Sequence, residues 1–136
     1  MTGDTGRAIA RAAYGLVGSP FRLHGRDPAT GIDCAGLVLV ALERGAGIRI
    51  ELAGYGLRNS SIDACVHSAG FPGLTFAQGP PQAGDIVLVK PGPAQWHLLV
   101  ASGNGGFIHA HAGLRKVVRV QGPLPWRTQM QWRIIT

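Results

Sequence analysis

The spacing at which apolar residues recur along this chain changes once, near Gly84. This change restricts the possible folds more than any other feature of the sequence. Before it, residues 5–17 carry Ala, Ile and Leu at the spacing of an amphipathic helix, which the sequence Gly18-Ser19-Pro20 ends. After it, short β-prone runs alternate with Gly, Pro and Asn. We therefore expect an α+β fold in which N-terminal helices pack on one side of a C-terminal antiparallel sheet.

The expected sheet has about five strands separated by turn-forming residues. They are 85–89, 97–101, 107–111, 116–120 and 131–135. The Gly- and Pro-rich stretch 70–84 is expected to be a loop that leads into the sheet. Ser60 or Ser61 can cap a further short helix that ends near Ala69.

Composition narrows the class of protein. With 136 residues, 46% of them hydrophobic and 15% charged, the chain predicts one compact domain over 1–136. Its longest apolar run, 35–42, is too short to cross a bilayer, so we expect no membrane span. The formal charge of +6 favours polyanionic surroundings such as teichoic-type polymers or acidic substrates. Because the basic residues are scattered without interleaved aromatics, nucleic acid is not an expected partner.

Cys34 occupies a position that favours a reactive thiolate. It follows Asp33, which stands as the N-cap of a segment, 35–44, that is apolar almost all round and is closed by Gly45 and Gly47. Unpaired N–H groups and the positive end of the helix dipole would stabilise a thiolate there and lower its pKa. The same N–H groups could hold the oxyanion formed when a thiolate attacks a carbonyl. The alternative is a buried structural thiol.

The other cysteine stands in a different context. Cys65 and His67 are spaced as Cys-x-His in an expected helix, off a common face, so we interpret both as structural. The different settings of Cys34 and Cys65 also argue against a disulfide framework.

Three histidines accompany Cys34 later in the chain. His97 begins one expected strand, His109 lies in the next, and the turn 103–106 between them predicts an antiparallel hairpin. With an odd-length loop, paired residues have an even index sum, so His97, His109 and His111 are expected on one face. A thiolate facing one histidine as base, with a second polar group orienting that base, meets the requirements of a thiol hydrolase.

Several segments together resemble the NlpC-type bacterial cell-wall cysteine peptidases, which are papain-like in architecture. The resemblance covers residues from about 8 to 120. The segments that carry it are Gly18-Ser19-Pro20-Phe21, Gly31-Ile32-Asp33-Cys34-Ala35-Gly36-Leu37-Val38, Pro81-Gln82-Ala83-Gly84-Asp85-Ile86-Val87, His97-Leu98-Leu99-Val100 and Gly105-Gly106-Phe107-Ile108-His109-Ala110.

The resemblance implies an activity and a set of roles. Members of the family hydrolyse amide bonds in the peptide stems of peptidoglycan, commonly between γ-linked D-glutamate and a diamino acid. By position, Cys34 is the nucleophile, His97 the general base and acid, and His109 the residue that orients His97. His111 could replace His109 or line the substrate groove, and Asp33 could bind a substrate amine as well as cap the helix. No cofactor or metal is implied.

Two positions depart from the family pattern at the substrate site. Phe21 stands where many relatives have Tyr, and Ala35 where many have Ser. The loss of both hydroxyls bears on which substrate is taken. His24, in the same loop as Phe21, could supply a polar group instead.

Other functions are compatible with the same residues. Cys34, His97, His109 and His111 include enough ligands for a zinc site. An amidase or acyltransferase would use the same Cys34 and His97. A non-catalytic structural component of a tail-like particle is a further alternative.

We also expect a particular setting for the activity. The N-terminus lacks the pattern of a secretory signal, and no wall-binding repeat accompanies the domain. Members without signals occur in phage tails. The expectation is therefore a protein made in the cytoplasm that acts at the wall with phage tail or tail-like particle proteins.

Overall fold

The computed structural model describes residues 2–49, 73–93 and 95–135. These residues form two helices, a two-stranded hairpin and a six-stranded antiparallel sheet. In chain order the elements are α1 Thr2–Tyr14, β1 Arg26–Asp27, β2 Gly31–Ile32, α2 Cys34–Ala46, β3 Leu74–Phe76, β4 Ile86–Gly92, β5 Gln95–Gly103, β6 Gly106–His111, β7 Lys116–Gln121 and β8 Thr128–Ile134.

The sheet has the strand order β3-β8-β4-β5-β6-β7. Strands β4 to β7 form a meander, and β8 returns to pair with the free side of β4. The predicted α+β fold and its five strands are confirmed. The sixth strand, β3, lies inside the stretch predicted to be a loop. Its three residues pair with β8 at the far end of the chain, so a long-range partner defines this strand.

The sheet is covered on both faces. One face packs against α1 and α2 and forms the main core, to which Ile9, Leu37, Leu88, Val100 and Ile108 contribute fully buried side chains. The opposite face carries a smaller apolar cluster. Its members are Val87, Val89, Leu99, Ala101 and Phe107, with Val120, Leu124 and Trp126 packed against them. Burial on both faces explains the near-continuous apolar runs of the central strands.

The helix boundaries differ slightly from the prediction. α1 is shifted towards the N-terminus by three residues at each end, and hydrogen-bonded turns replace its expected last turn. α2 does not end at Gly45. A Cβ there would lie 2.5 Å from the Cα of Ile9, so the close approach of the two helices requires glycine. Gly47, with φ of 69°, caps the helix instead.

A partly buried ion pair joins Asp85, the residue before β4, to β8. Asp85, which is 1% exposed, accepts hydrogen bonds from Nε and Nη2 of Arg133 at 3.0 and 2.8 Å. Gln131 Nε2 and the backbone N–H of Gln82 donate to the same carboxylate. The hydrogen bonds to Asp85 raise the pKa of Arg133. Asp85 thus holds the start of β4 against the last strand.

One expected helix cannot be compared with the structure. The helix predicted to end near Ala69, together with Cys65 and His67, lies outside the described residues. Neither described helix is both long and apolar enough to cross a membrane.

Candidate active site

Asp33 initiates α2 as predicted. Its Oδ1 accepts the backbone N–H of Gly36 at 2.8 Å, which is N-cap geometry. The carboxylate also accepts the backbone N–H of His24 at 2.8 Å and Nη1 of Arg26 at 3.2 Å. Asp33 is fully buried. Its carboxylate is therefore held by protein donors on both oxygens.

Cys34, the first residue of α2, is 4% exposed. Burial raises the pKa of its thiol to about 11, and the negative charge of Asp33 adds to this. The backbone N–H groups of Leu98, Ala35 and Cys34 itself act in the opposite direction. The net shift is opposite to the lowered pKa predicted from the helix start, because desolvation outweighs the amides. At neutral pH the resting group is a thiol.

His97 and His109 form a hydrogen-bonded pair across β5 and β6. His97 Nε2 lies 2.9 Å from His109 Nδ1, and the two rings meet edge-to-face with centroids 5.0 Å apart. The turn has two residues, Asn104 and Gly105, so the pair beside it, Gly103 and Gly106, has an odd index sum and the expected odd-length loop is wrong. A bulge between Ala101 and Gly103 shifts the register, and the pair Val100 and Ile108 has the even sum. The prediction that these histidines share a face of the hairpin is thereby confirmed.

Both imidazoles are neutral at pH 7. Burial lowers the pKa of His97 to about 3, with smaller contributions from the charges of His109 and His111. Burial also lowers the pKa of His109 to about 4, and His111 adds to the shift. A neutral imidazole has one N–H and one lone pair. If His97 donates through Nε2, its Nδ1 carries the lone pair and can act as a base.

His111 lies at the end of β6 beside His109, with ring centroids 5.5 Å apart. Its Nδ1 accepts the backbone N–H of Leu114 at 3.0 Å and so closes the turn into β7. The 2.9 Å contact with His97 belongs to His109 rather than to His111.

A cleft of about 450 Å³ brings the nucleophile candidate and the histidines together. Apolar and aromatic side chains form most of its wall. The lining residues are Phe21, Cys34, Pro91, Gln95, Trp96, His97, His109, Ala110, His111, Ala112, Gly113 and Trp126. Cys34, His97 and His109 therefore line one cleft.

The remaining predicted residues are placed differently. Phe21 lines the cleft, and its backbone N–H donates to the Arg115 carbonyl beside β7 at 2.9 Å. Ala35 is 1% exposed and, like Asp33 and His24, is not among the residues that line the cleft. The structure therefore brings Phe21, but neither Ala35 nor Asp33, to the cleft surface.

Sequence reasoning missed the tryptophans of the cleft. Trp96 lies next to His97 in β5, with the ammonium of Lys90 5.1 Å from its ring centroid. Trp126 lies in the connection from β7 to β8, and its ring centroid is 6.3 Å from those of both His97 and His109. No spacing rule places Trp126 there, because its position depends on the path of the chain back across the sheet.

The zinc alternative has no support in the part of the chain that the structure describes. Within those residues, no group of three or more His, Cys, Asp and Glu side chains is arranged to hold a metal ion.

Several solved structures have the same fold. NlpC2 from Trichomonas vaginalis matches with a TM-score of 0.74 at 20% identity, covering 98% of this chain and 47% of that one. This chain thus spans about half the length of that protein. The NlpC/p60 domain of the peptidoglycan hydrolase SagA matches with a TM-score of 0.61 at 26% identity, covering 85% and 88%. The peptidoglycan hydrolase RipB from Mycobacterium tuberculosis matches with a TM-score of 0.67 at 23% identity, covering 97% and 65%.

Sequence comparison leads to the same family. No curated protein matches the chain. The model of the NlpC/P60 family matches residues 18–133, a range that includes every residue lining the cleft. Because this match extends over most of the sequence and agrees with the fold, the chain belongs to the NlpC/P60 family.

Proposed function

We propose that this protein is a cysteine peptidase that hydrolyses amide bonds in the peptide stems of peptidoglycan. The observation that carries the proposal is the cleft in which Cys34, at the start of α2, meets the hydrogen-bonded pair of His97 and His109. The NlpC/P60 fold supports a cell-wall peptidase activity, and the similar proteins SagA and RipB are peptidoglycan hydrolases.

In the first step, His97 takes the thiol proton as the sulfur of Cys34 attacks the carbonyl carbon of the scissile amide. Burial disfavours a thiolate or an imidazolium alone, as the raised and lowered pKa values show. Proton transfer creates both charges together, and each then stabilises the other. His109 accepts the Nε2–H of His97, which leaves Nδ1 as the nitrogen that exchanges the proton.

The start of α2 also supplies hydrogen-bond donors. Backbone hydrogen bonds from Leu98, Ala35 and Cys34 itself lower the pKa of the thiol, which places these N–H groups near the sulfur. Donors in this position can stabilise the oxyanion of the tetrahedral intermediate. The intermediate collapses to a thioester as His97 gives its proton to the leaving amine. Water, deprotonated by His97, then hydrolyses the thioester to a carboxylic acid and restores the thiol.

The bond we propose is the one between γ-linked D-glutamate and the diamino acid. The test is digestion of purified stem peptides, each containing one defined diamino acid, with mass spectrometry of the products. We expect the wild type to cleave, and Cys34→Ala to lose roughly 10⁴-fold or more of that rate because the covalent route is removed. Cys34→Ser is the matched control for the shape of the site.

The fragment masses identify the bond. If the fragments come from cleavage at another bond of the stem, the proposed bond is wrong but the peptidase activity is upheld. Equal cleavage by the wild type and Cys34→Ala, or no cleavage of any stem, would reject the peptidase itself.

The setting in a phage or tail-like particle is a separate proposal. It predicts that the protein copurifies with particles that puncture the wall. Recovery from the cell envelope alone, with none in purified particles, would reject it.

A further inference from the structure

Trp126 contacts both imidazoles of the cleft. Its ring centroid lies 6.3 Å from that of His97 and 6.3 Å from that of His109, with interplanar angles of 79° and 83°. Such edge-to-face geometry is a favourable arrangement for aromatic rings. The same side chain lines the cleft, so it stands beside the imidazole pair at its boundary with the substrate space.

The fold holds Trp126 in this position. Together with Val120 and Leu124, it packs against the apolar cluster on the outer face of the sheet. That cluster includes Leu99 from the strand of His97 and Phe107 from the strand of His109. The connection between β7 and β8 is therefore anchored on the same two strands that carry the imidazoles.

We propose that Trp126 is a positioning residue that fixes the orientation of both imidazoles and shields the hydrogen bond between His97 Nε2 and His109 Nδ1 from water. A water molecule at this bond would compete for the Nε2–H and loosen the ring. The catalytic consequence rests on the proposed peptidase function. The structural consequence, a change in the titration of the two imidazoles, is independent of the peptidase function.

Other titratable or charged groups lie near the imidazole pair and can influence its pH dependence. Cys34 faces the cleft from α2, and His111 lies beside His109 at the end of β6. Lys90, from β4, stands over Trp96 at the same cleft. None of these groups is altered by substitution of Trp126.

Two measurements on the folded protein test the proposal without a peptide substrate. One is the pH dependence of alkylation of Cys34 by iodoacetamide, and the other is titration of the imidazoles by nuclear magnetic resonance. Because burial is the main cause of the lowered pKa of both histidines, Trp126→Leu should raise both values towards 6.5. A His97 ring that is no longer held in place takes the thiol proton less readily, and we expect this loss of orientation to outweigh the higher pKa of His97. Alkylation at neutral pH should therefore fall about tenfold, a small part of the roughly 10²–10⁴-fold that a well-placed base contributes.

Two further variants make the experiment specific. Trp126→Phe keeps an aromatic ring and should restore most of the wild-type titration and alkylation. Trp96→Phe changes another tryptophan of the same cleft and should leave imidazole titration within error. If Trp126→Leu unfolds, Trp126→Met, which also lacks the ring, replaces it with the same expected direction of both changes.

The proposal is overturned if folded Trp126→Leu matches the wild type in both measurements, or if Trp96→Phe shifts the imidazoles as much. A wild type that cleaves no stem peptide, yet shows the Trp126 effects, would reject the proposed function and keep this inference.

Discussion

Two carboxylates are almost fully buried in the described part of the chain, and their surroundings differ. Asp85, which directly precedes β4, accepts hydrogen bonds from Nε and Nη2 of Arg133 and from the side-chain amide of Gln131. Asp33, beside the nucleophile, accepts the backbone N–H groups of His24 and Gly36, and Nη1 of Arg26 contacts it at a longer distance, 3.2 Å. Bidentate pairing suits a carboxylate that joins strands, whereas backbone donors suit one that starts a helix.

The difference has a chemical consequence at Asp33. Its negative charge is one of the causes that raise the pKa of Cys34. Asp85 is not among the groups that shift the pKa of Cys34, His97 or His109. We therefore expect Asp85 to act on stability and Asp33 to act on both stability and reactivity.

The largest effect on stability is expected at Asp85. Asp85→Ala leaves Arg133 and Gln131 without their acceptor, and breaking a buried pair costs about 3–5 kcal/mol. We expect about 3 kcal/mol, since the Arg133 side chain is 23% exposed and reaches water. Urea unfolding measures the loss, and the alkylation rate of Cys34 in the folded protein should not change.

A double variant is the control for this interpretation. Asp85→Ala combined with Arg133→Ala should cost less than the sum of the single changes, because the unpaired charge is gone. Simple additivity would show that the pair is not the origin of the loss.

Acid should lower the free energy of unfolding because His97 and His109 are harder to protonate in the folded protein than in the unfolded chain. His97 and His109 have lowered pKa values of about 3 and about 4 in the folded state, so between these values and about 6.5 the unfolded chain binds more protons. Their contribution is complete above about pH 6.5 and is lost as the pH falls. Each imidazole adds a slope of up to about 1.4 kcal/mol per pH unit.

Urea unfolding at a series of pH values from 7 to 4 measures these slopes. His109→Gln should flatten the dependence by about the share of one imidazole. A wild-type stability that stays constant between pH 6.5 and 5 would contradict the neutral, buried pair.

The smallest stability effect with a clear chemical signature is expected for Asp33→Asn. Asparagine still caps a helix, but its amide nitrogen cannot accept the hydrogen bond that one carboxylate oxygen accepts, so we expect a cost of about 1 kcal/mol. Removing the negative charge should lower the pKa of the Cys34 thiol, which is about 11 in the wild type. The alkylation profile should therefore move to lower pH.

Asp33→Ala separates the two roles of this residue. It removes the charge and also orphans the backbone N–H groups of His24 and Gly36, so its stability loss should be about 2 kcal/mol. An alkylation profile that does not move in either variant would remove the chemical distinction between Asp33 and Asp85.

Much of the fold and site follows from local sequence. The cap at Asp33 and the helix that Cys34 opens depend on residues a few positions apart. The shared face of His97 and His109 was expected from their even spacing, but it depends on a bulge between Ala101 and Gly103 that corrects the odd register of the two-residue turn. The cap was predictable because short-range hydrogen bonds determine it, whereas the bulge that sets the hairpin register was not predicted.

The tertiary structure decided the rest. β3 exists because β8 pairs with it, and Trp126 reaches the imidazoles because the chain crosses back over the sheet. The direction of the Cys34 pKa shift reversed because desolvation by the surrounding chain exceeds the local amide hydrogen bonds. Sequence thus determined which groups stand at the start of α2 and on the hairpin. Their charge state depends on how much water the distant strands exclude, which no local pattern encodes.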